Sequence, residues 1–424
     1  MKSIVLFGAG KSATCLIDYL TRICSEKNWA LTIADADPEA MSKKLIPSPF
    51  VHPIQVNVES SRERSPLIKN ADLVISLLPP ALHILIAKDC VSNLKNLLTA
   101  SYVDEEIRNL ASAVSEKKLL FLCEMGLDPG IDHMSAMQII HRIHQEGGVI
   151  DSFLSHTGGL VAPESDDNPW HYKISWNPAN VVKAGSSGAV YKENGKIKRL
   201  DYDVLFENTG IAEIKPMGKF AWYPNRDSLS YIPVYGLESA RSFIRTTLRH
   251  PDYCFGWKNL VKAGLTNDEK IIPSFIKTIS EWSHPLLSFV NDSNKHLYEQ
   301  LGLFQNEPLP AGIQTSAKIL QALLEKNWKM KDADKDMILM LHEFVYRLNN
   351  KRYFLKSSLI VKGENALRTA MAKTVGLPLG IAAKLILENR ITISGLHIPI
   401  IPEIYNPVLE ELAFEEIRFR EEIN

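Results

Sequence analysis

From residue 1 to about 125, short β-type apolar runs alternate with stretches of helical period. That is the pattern of a parallel sheet covered by helices on both faces. It predicts strands over 4–7, 31–34, 73–77, 96–99 and 119–122, with helices over 15–24 and 83–91. Beyond about 150 the texture changes to alternating strands and turns. There, residues 189–192 and 196–199 flank Asn194-Gly195, two residues that tolerate the positive φ of a tight hairpin turn. From 237 to 335 the apolar spacing is helical, with segments at 239–248, 271–282 and 316–328. Apolar residues then alternate over 337–348 and 352–361 about Asn349-Asn350-Lys351, a long antiparallel hairpin expected to return to the second sheet. The closing stretch reads as helices over 366–375, 380–389 and 408–422, the last of them acidic, docking back on the first sheet.

Composition narrows the function classes. The 424 residues are 45% hydrophobic and 23% charged, which excludes wholesale disorder and a fibrous repeat. At about 150 residues per domain, two or three domains are expected. Lys and Arg number 48 against 49 Asp and Glu, a net charge of -1, so no general field exists for nucleic acid or an anionic membrane. Anionic ligands have to be held locally. No uninterrupted apolar run approaches the roughly 20 residues of a membrane-spanning helix. Met1-Lys2-Ser3 leads straight into a strand instead of a secretion signal, so a soluble, cytoplasmic protein is expected. The cysteines Cys15, Cys24, Cys90, Cys123 and Cys254 form no C-x-x-C pair, and reduced, buried thiols follow as the expectation.

Gly8-Ala9-Gly10-Lys11-Ser12-Ala13 directly follows the first strand and opens a helix, the setting in which a glycine loop binds a dinucleotide. Gly8 permits the tight turn, Gly10 lets a pyrophosphate approach the backbone, and Ala13 replaces the third glycine at the helix–strand contact. The phosphates would sit on unpaired N–H groups at the helix N-terminus. Asp35, at the end of the second strand, lies 22 residues beyond Ala13, near the ribose-recognising position. A carboxylate there accepts from the ribose 2′-hydroxyl and repels a 2′-phosphate, which favours NAD over NADP. Lys11 with Lys43 or Lys44 keeps NADP open. The expected fold class is α/β: a Rossmann-like parallel-sheet domain with a second mixed α+β sheet domain and an all-helical cap. The first domain is discontinuous, 1–130 plus about 363–424. The second takes 131–236 plus about 336–362, and the helical one 237–335.

Three further strings stand at strand ends, where parallel sheets bind ligands: Ile75-Ser76-Leu77-Leu78-Pro79-Pro80, Thr99-Ala100-Ser101-Tyr102-Val103 and Gly126-Leu127-Asp128-Pro129-Gly130-Ile131-Asp132-His133. With Gly158-Gly159-Leu160, Ala162-Pro163-Glu164, Asn168-Pro169, Tyr172-Lys173, Ser175-Trp176, Tyr223-Pro224-Asn225-Arg226-Asp227-Ser228, Thr247-Leu248-Arg249 and Gly376-Leu377-Pro378, they resemble the saccharopine dehydrogenase family of the L-glutamate-forming type. The resemblance spans essentially the whole chain, although 265–335 matches only in general character. It implies reversible oxidation of saccharopine with NAD(P) and water to glutamate and 2-aminoadipate 6-semialdehyde through an imine, a step of lysine metabolism. It also implies a substrate seated between the nucleotide and second domains, and a homodimer formed through the second sheet.

On that pattern Ser101, Tyr102, Asp128, Arg226, Thr247, Leu248 and Arg249 contact the substrate, with Asp128 and Tyr102 as the catalytic candidates. Gly8, Gly10, Lys11, Ser12, Ala13, Ser76, Leu77, Leu78 and the run Gly126, Leu127, Asp128, Pro129, Gly130, Ile131 and Asp132 line the cofactor. A substrate with three carboxylates suits guanidinium forks such as Arg226 and Arg249. Where many relatives have Tyr-Cys-Gly-Gly, this chain has His156-Thr157-Gly158-Gly159. Thr157 offers only a hydroxyl, and His156 is a candidate acid or base. No metal is expected: His141 and His144 share a helix without a third ligand. Gly185-Ser186-Ser187-Gly188 reads as a turn, and Trp170, Tyr172 and Trp176 as core. The alternatives are another imine-forming amino-acid dehydrogenase of the carboxyspermidine or lysine type, and a non-catalytic NAD(P)-binding sensor. Intact Tyr102, Asp128 and Arg226 argue against the sensor.

Overall fold

Ser3–Phe7 forms β1, and Ile4 to Phe7 are buried on both faces, which is why the strand carries no polar alternation. The computed structural model describes residues 1–424. After β1 come β2 (Ala30–Asp35), β3 (Val51–Gln55), β4 (Leu73–Ser76), β5 (Asn96–Thr99) and β6 (Leu120–Leu122). There follow β7 (Val149–Val161), β8 (Ala189–Glu193), β9 (Lys196–Leu200), β10 (Gly210–Ile214), β11 (Gly218–Pro224), β12 (Arg226–Asp227) and β13 (Ser242–Arg249). The last four are β14 (Asp336–Leu348), β15 (Lys351–Lys362), β16 (Gly395–His397) and β17 (Arg420–Ile423). The chain divides into one unit of Met1–Arg142 with Leu367–Phe419 and a second of Ile143–Ala366 with Arg420–Asn424.

The first unit holds a seven-stranded sheet in the order β16-β6-β5-β4-β1-β2-β3, parallel throughout. This is the doubly wound dinucleotide-binding order with one added edge strand, and its direction reverses between β1 and β4. β3 was not foreseen, because Pro53 and a mostly exposed run suit an edge strand and mask its pattern. The helices expected at 366–375 and 380–389 are one helix, Ala370–Leu387, that runs through Pro378. Tertiary packing overrides the proline: a Cβ on Gly376 would stand 2.9 Å from Leu16, and one on Gly380 2.7 Å from Tyr19. These small residues let the helix lie close against Thr14–Lys27. It is long and apolar enough to cross a membrane by composition, yet 78% of it is buried inside the protein, as in a core helix. The acidic C-terminal helix is Pro402–Phe414, and the chain then extends into β17 beside β15.

The second unit is a ten-stranded mixed sheet with the path β10-β11-β13-β7-β14-β15-β17, β8, β9 and β12 lying off it. Both hairpins form where the sequence places them. Asn194 and Gly195 take φ of 51° and 80° between β8 and β9, and Asn349 and Asn350 take 50° and 61° between β14 and β15. The segment 239–248, read as a helix, is instead β13, inserted between β11 and β7. The helices of 251–327 do not stand apart from this sheet: Trp257, Leu320 and Trp328 share one core with Tyr172, Tyr223 and Ile244. The other face of the sheet has its own apolar cluster around Leu160, Leu248, Leu339 and Leu341.

Candidate functional site

The first unit presents its loops at the carboxyl ends of β1, β4, β5 and β6. Gly8 has φ +101°, and a Cβ there would lie 2.6 Å from the Leu77 carbonyl oxygen, so only glycine lets the β1 loop pass the end of β4. Gly10 is exposed and a Cβ on it would meet nothing within 4 Å, which leaves its backbone open to a ligand. The turn Lys11–Ala13 that follows has no side-chain cap, so the first amides of the helical run keep their hydrogen-bonding capacity. These features fit a pyrophosphate. Lys11 is exposed, Ser12 half-buried and Ala13 buried against the sheet. Asp35 is placed as expected, but its carboxylate also braces the loop: Oδ2 accepts from Ala9 N at 2.6 Å and Oδ1 from Asp37 N at 2.9 Å. Lys44 donates to the carbonyls of Ala9 and Gly10, its pKa lowered by burial. That ammonium is a fixed positive charge beneath the loop which the sequence left undefined.

At the ends of β4 and β5, Ser76 and Ser101 are joined through His83. Its Nδ1 lies 2.8 Å from Ser76 Oγ and its Nε2 2.7 Å from Ser101 Oγ. Burial pushes the His83 pKa down to about 4, so the ring is neutral, with one nitrogen donating and the other accepting. Sequence reasoning named both serines and missed the histidine between them. Leu77 and Leu78 are half-buried in the adjoining turn. The loop after β6 folds on itself: Gly126 N donates to Pro129 O, Ile131 N to Gly126 O and Asp132 N to Leu127 O. Gly130 has φ +147° and a Cβ there would stand 2.1 Å from Gly126 O. Asp132 is turned inward, accepting from Gly130 N at 2.6 Å, so it braces the loop from within. Asp128 is only partly buried, and the Tyr102 hydroxyl donates to its Oδ1 at 3.5 Å. The two catalytic candidates are therefore neighbours, although 26 residues separate them.

The second unit places its candidates by strand register. Tyr223 of β11 pairs with Thr247 of β13, which pairs with Thr157 of β7, so three hydroxyl side chains lie in a row on one face. Arg249, two residues along β13, shares that face. It is 4% exposed, lies 5.2 Å from the Tyr172 ring and 5.4 Å from that of Tyr253, and donates from Nη1 to Leu248 O. The charged or titratable groups around it are tyrosines and a cysteine, with no carboxylate among them. Arg249 Nε, the Tyr223 and Tyr253 hydroxyls and Thr157 Oγ1 are buried without a hydrogen-bond partner. Burial pushes Tyr223 up to about 12 and Tyr253 well above the usual tyrosine value, so both remain protonated donors. A buried cation among unpartnered donors has the chemistry to hold an anion.

Two expectations change here. Leu248 points to the opposite face, into the apolar cluster, and offers a ligand no side chain. His156 also faces away from Arg249. Its Nδ1 lies 2.7 Å from Thr246 Oγ1 and its Nε2 3.2 Å from Glu343 Oε2. Against the upward push of burial, His156 and Lys356 hold the Glu343 pKa at about 2. His156 is thus part of an ion-pair network on the other side of the sheet. Arg226 is exposed on β12 with φ 50°.

The strand order, the glycine loop and its open helix N-terminus define a protein of the dinucleotide-binding class. Comparison with known proteins is more specific. The family model described as "Saccharopine dehydrogenase NADP binding domain" matches residues 4–122, and "Saccharopine dehydrogenase C-terminal domain" matches 126–417. A Schizosaccharomyces pombe protein named "Saccharopine dehydrogenase [NADP(+), L-glutamate-forming]" is 31% identical over 100% of this chain and 99% of its own length. The bovine mitochondrial alpha-aminoadipic semialdehyde synthase is 33% identical over 99% of this chain, which spans about half, 47%, of that relative. The solved structure of apo saccharopine dehydrogenase (L-Glu forming) from Saccharomyces cerevisiae superposes with a TM-score of 0.90 at 28% identity, each chain covered in full. The chain belongs to the saccharopine dehydrogenase family. The yeast relatives' names specify NADP(+), so the comparisons do not support the preference for NAD drawn from Asp35.

Proposed function

We propose that this chain catalyses the reversible, NAD(P)-linked oxidation of saccharopine with water to glutamate and 2-aminoadipate 6-semialdehyde. The observation that carries this reading is Arg249, a buried guanidinium with no acidic partner, set among the unpaired donors of Tyr223, Tyr253 and Thr157. A carboxylate is the anion whose planar shape the guanidinium fork matches. A substrate with three carboxylates needs such sites in a chain whose net charge is only -1. Full-length similarity to the S. pombe enzyme supports the same substrate class.

The backbone of Gly8 to Ala13 would hold the pyrophosphate of the coenzyme, and Leu77 and the loop after β6 would line the rest of it. When bound, the coenzyme would supply the hydride acceptor for the carbon beside the bridging amine that becomes the aldehyde carbon of the semialdehyde. That oxidation leaves a cationic imine in the substrate. Asp128 takes the proton of the adding water, and the Tyr102–Asp128 pair returns one to the departing glutamate nitrogen. Ser101, fixed through His83, orients the substrate beside Tyr102. Coenzyme choice rests on the charges around the ribose position: Asp35 against a 2′-phosphate, Lys11 and Lys43 for it. The relatives' names favour NADP.

The test is nicotinamide absorbance when saccharopine is added with NAD or with NADP at alkaline pH, and assay of the glutamate formed. The expected result is saccharopine-dependent reduction that falls by about 10²–10⁴ in Asp128→Asn while coenzyme binding persists. A folded protein that binds a coenzyme yet reduces neither would refute the reading.

A further inference from the structure

Glu124, just beyond β6, has φ of 58°, in the left-handed region that a residue with a Cβ enters at a cost. Its side chain is buried as well, a second cost, because a carboxylate taken out of water has to be paired and hydrogen-bonded. What Glu124 holds accounts for both. Its N–H donates to Ser101 O at 3.0 Å, and its Oε1 accepts from Val103 N at 3.1 Å. One residue therefore grips the chain on each side of Tyr102. The next amide, Met125 N, donates to Thr99 O at 3.0 Å. Extended backbone would point successive N–H groups apart, and the left-handed turn at Glu124 aims both at the segment that follows β5.

The carboxylate is itself held. His133 Nε2 lies 2.8 Å from Glu124 Oε2, and the His133 side chain is fully buried. A carboxylate only accepts, so Nε2 carries the proton and donates. His133 lies in the first turn of the helix Ile131–Gln145, directly beyond the loop that carries Asp128. The pair thus ties the Tyr102 segment to the element that follows Asp128, and across that tie the Tyr102 hydroxyl donates to Asp128 Oδ1 at 3.5 Å. Ser101 has a further anchor in His83 at 2.7 Å, so loss of the Glu124 side chain would fall on Tyr102 and Val103.

We propose that Glu124 and His133 are positioning residues, which set the Tyr102 hydroxyl against Asp128 for proton transfer by gripping the backbone of residues 101–103. Neither acts on the reacting atoms directly. The proposal rests on the dehydrogenase reading and on the roles it gives Tyr102 and Asp128.

Steady-state kinetics with saccharopine and coenzyme are compared for the full-length wild type, Glu124→Ala, Glu124→Gln and His133→Ala, with rates expressed per coenzyme-binding site from fluorescence titration. In Glu124→Ala kcat should fall about 10²-fold, the effect of a displacement of roughly 1 Å. The KM for saccharopine and the coenzyme affinity should change by less than about threefold, since an interaction used only in the transition state is lost. Glu124→Gln keeps the Oε1 acceptor for Val103 N, and its amide can donate to His133 once the ring proton moves to Nδ1. Its kcat should return to within about fivefold of wild type. His133→Ala removes the ring that holds the carboxylate and should lower kcat about tenfold; it decides the matter should Glu124→Ala fail to fold. Variants with fewer binding sites but wild-type kcat per site would overturn the proposal, make the pair purely structural and leave the dehydrogenase reading intact. Glu124→Gln as slow as Glu124→Ala would overturn it too, since the charge and not the bond to Val103 would then matter. A wild type that binds coenzyme without oxidising saccharopine would refute the dehydrogenase reading, and this proposal with it.

Discussion

Replacing Arg249 with methionine is expected to make the empty protein more stable while disabling substrate binding, a pairing of signs that a structural arginine does not produce. The wild-type guanidinium is 4% exposed and has no acid beside it, and the effective cost of burying such an ion is several kcal/mol. Against this stand one hydrogen bond from Nη1 to Leu248 O at 2.8 Å, worth about 1.5–3 kcal/mol. Two ring contacts, to Tyr172 and Tyr253, add about 1–2 kcal/mol together. Methionine fills much of the same volume without the charge, so the balance moves by about 0–3 kcal/mol in favour of the folded state. The assay is urea unfolding followed by fluorescence, in which the midpoint should rise at constant slope. In the same preparation the KM for saccharopine should rise by about 10²–10³, equivalent to about 3–4 kcal/mol for the lost charge-assisted bonds, with coenzyme affinity unchanged. A lower midpoint together with an unaltered KM would refute the reasoning and make Arg249 a packing residue.

Three more expectations follow from the first unit. The His83 pKa is depressed in the folded state from 6.5 to about 4, so its contribution is present above pH 6.5 and lost as pH falls toward 4, by about 3 kcal/mol at 1.36 kcal/mol per unit. Urea midpoints between pH 7 and 4 should show that decline, and His83→Asn should flatten it. Gly8→Ala, which forces a Cβ to within 2.6 Å of Leu77 O at φ +101°, should cost about 2–4 kcal/mol and abolish measurable coenzyme binding in fluorescence titrations. An unchanged dissociation constant would mean the loop binds nothing. Asp35→Ser should raise the ratio of NADP to NAD turnover about tenfold or more by removing a charge from the ribose position. It should weaken both coenzymes because Ala9 and Asp37 lose their acceptor. A fixed ratio would show that Asp35 only braces the loop.

Much of this architecture was legible because its signals are local. Asn194-Gly195 and Asn349-Asn350 announce two-residue hairpins by their tolerance of positive φ, and the glycine loop announces itself by following a buried strand. β13 was misread for a physical reason. It is central, and residues such as Phe243, Ile244, Thr246 and Leu248 are buried on both faces, so its apolar run has no alternation to separate it from a helix. The helix Ala370–Leu387 was divided at Gly376-Leu377-Pro378 because local propensity opposes it there, while packing against Leu16 and Tyr19 supports it.

The site divides along the same line. Spacing along the chain was enough to place Gly8, Gly10, Ser76 and the loop at Gly126 at strand ends, since a parallel strand followed by a turn has only one end at which to present it. Family resemblance nominated Asp128, Tyr102 and Arg249. What no string of residues could declare is which side of the sheet each side chain meets. Register puts Thr157, Thr247 and Tyr223 in line, turns Leu248 and His156 away, and leaves Arg249 buried without a counter-charge. A shift of one residue in that pairing would exchange the two faces. The sequence by itself determined the two hairpins and the backbone loops at the strand ends, because those depend on neighbours a few residues away. The tertiary structure alone decided the polar row and the Ser76–His83–Ser101 link, because they depend on contacts between strands that only folding brings together.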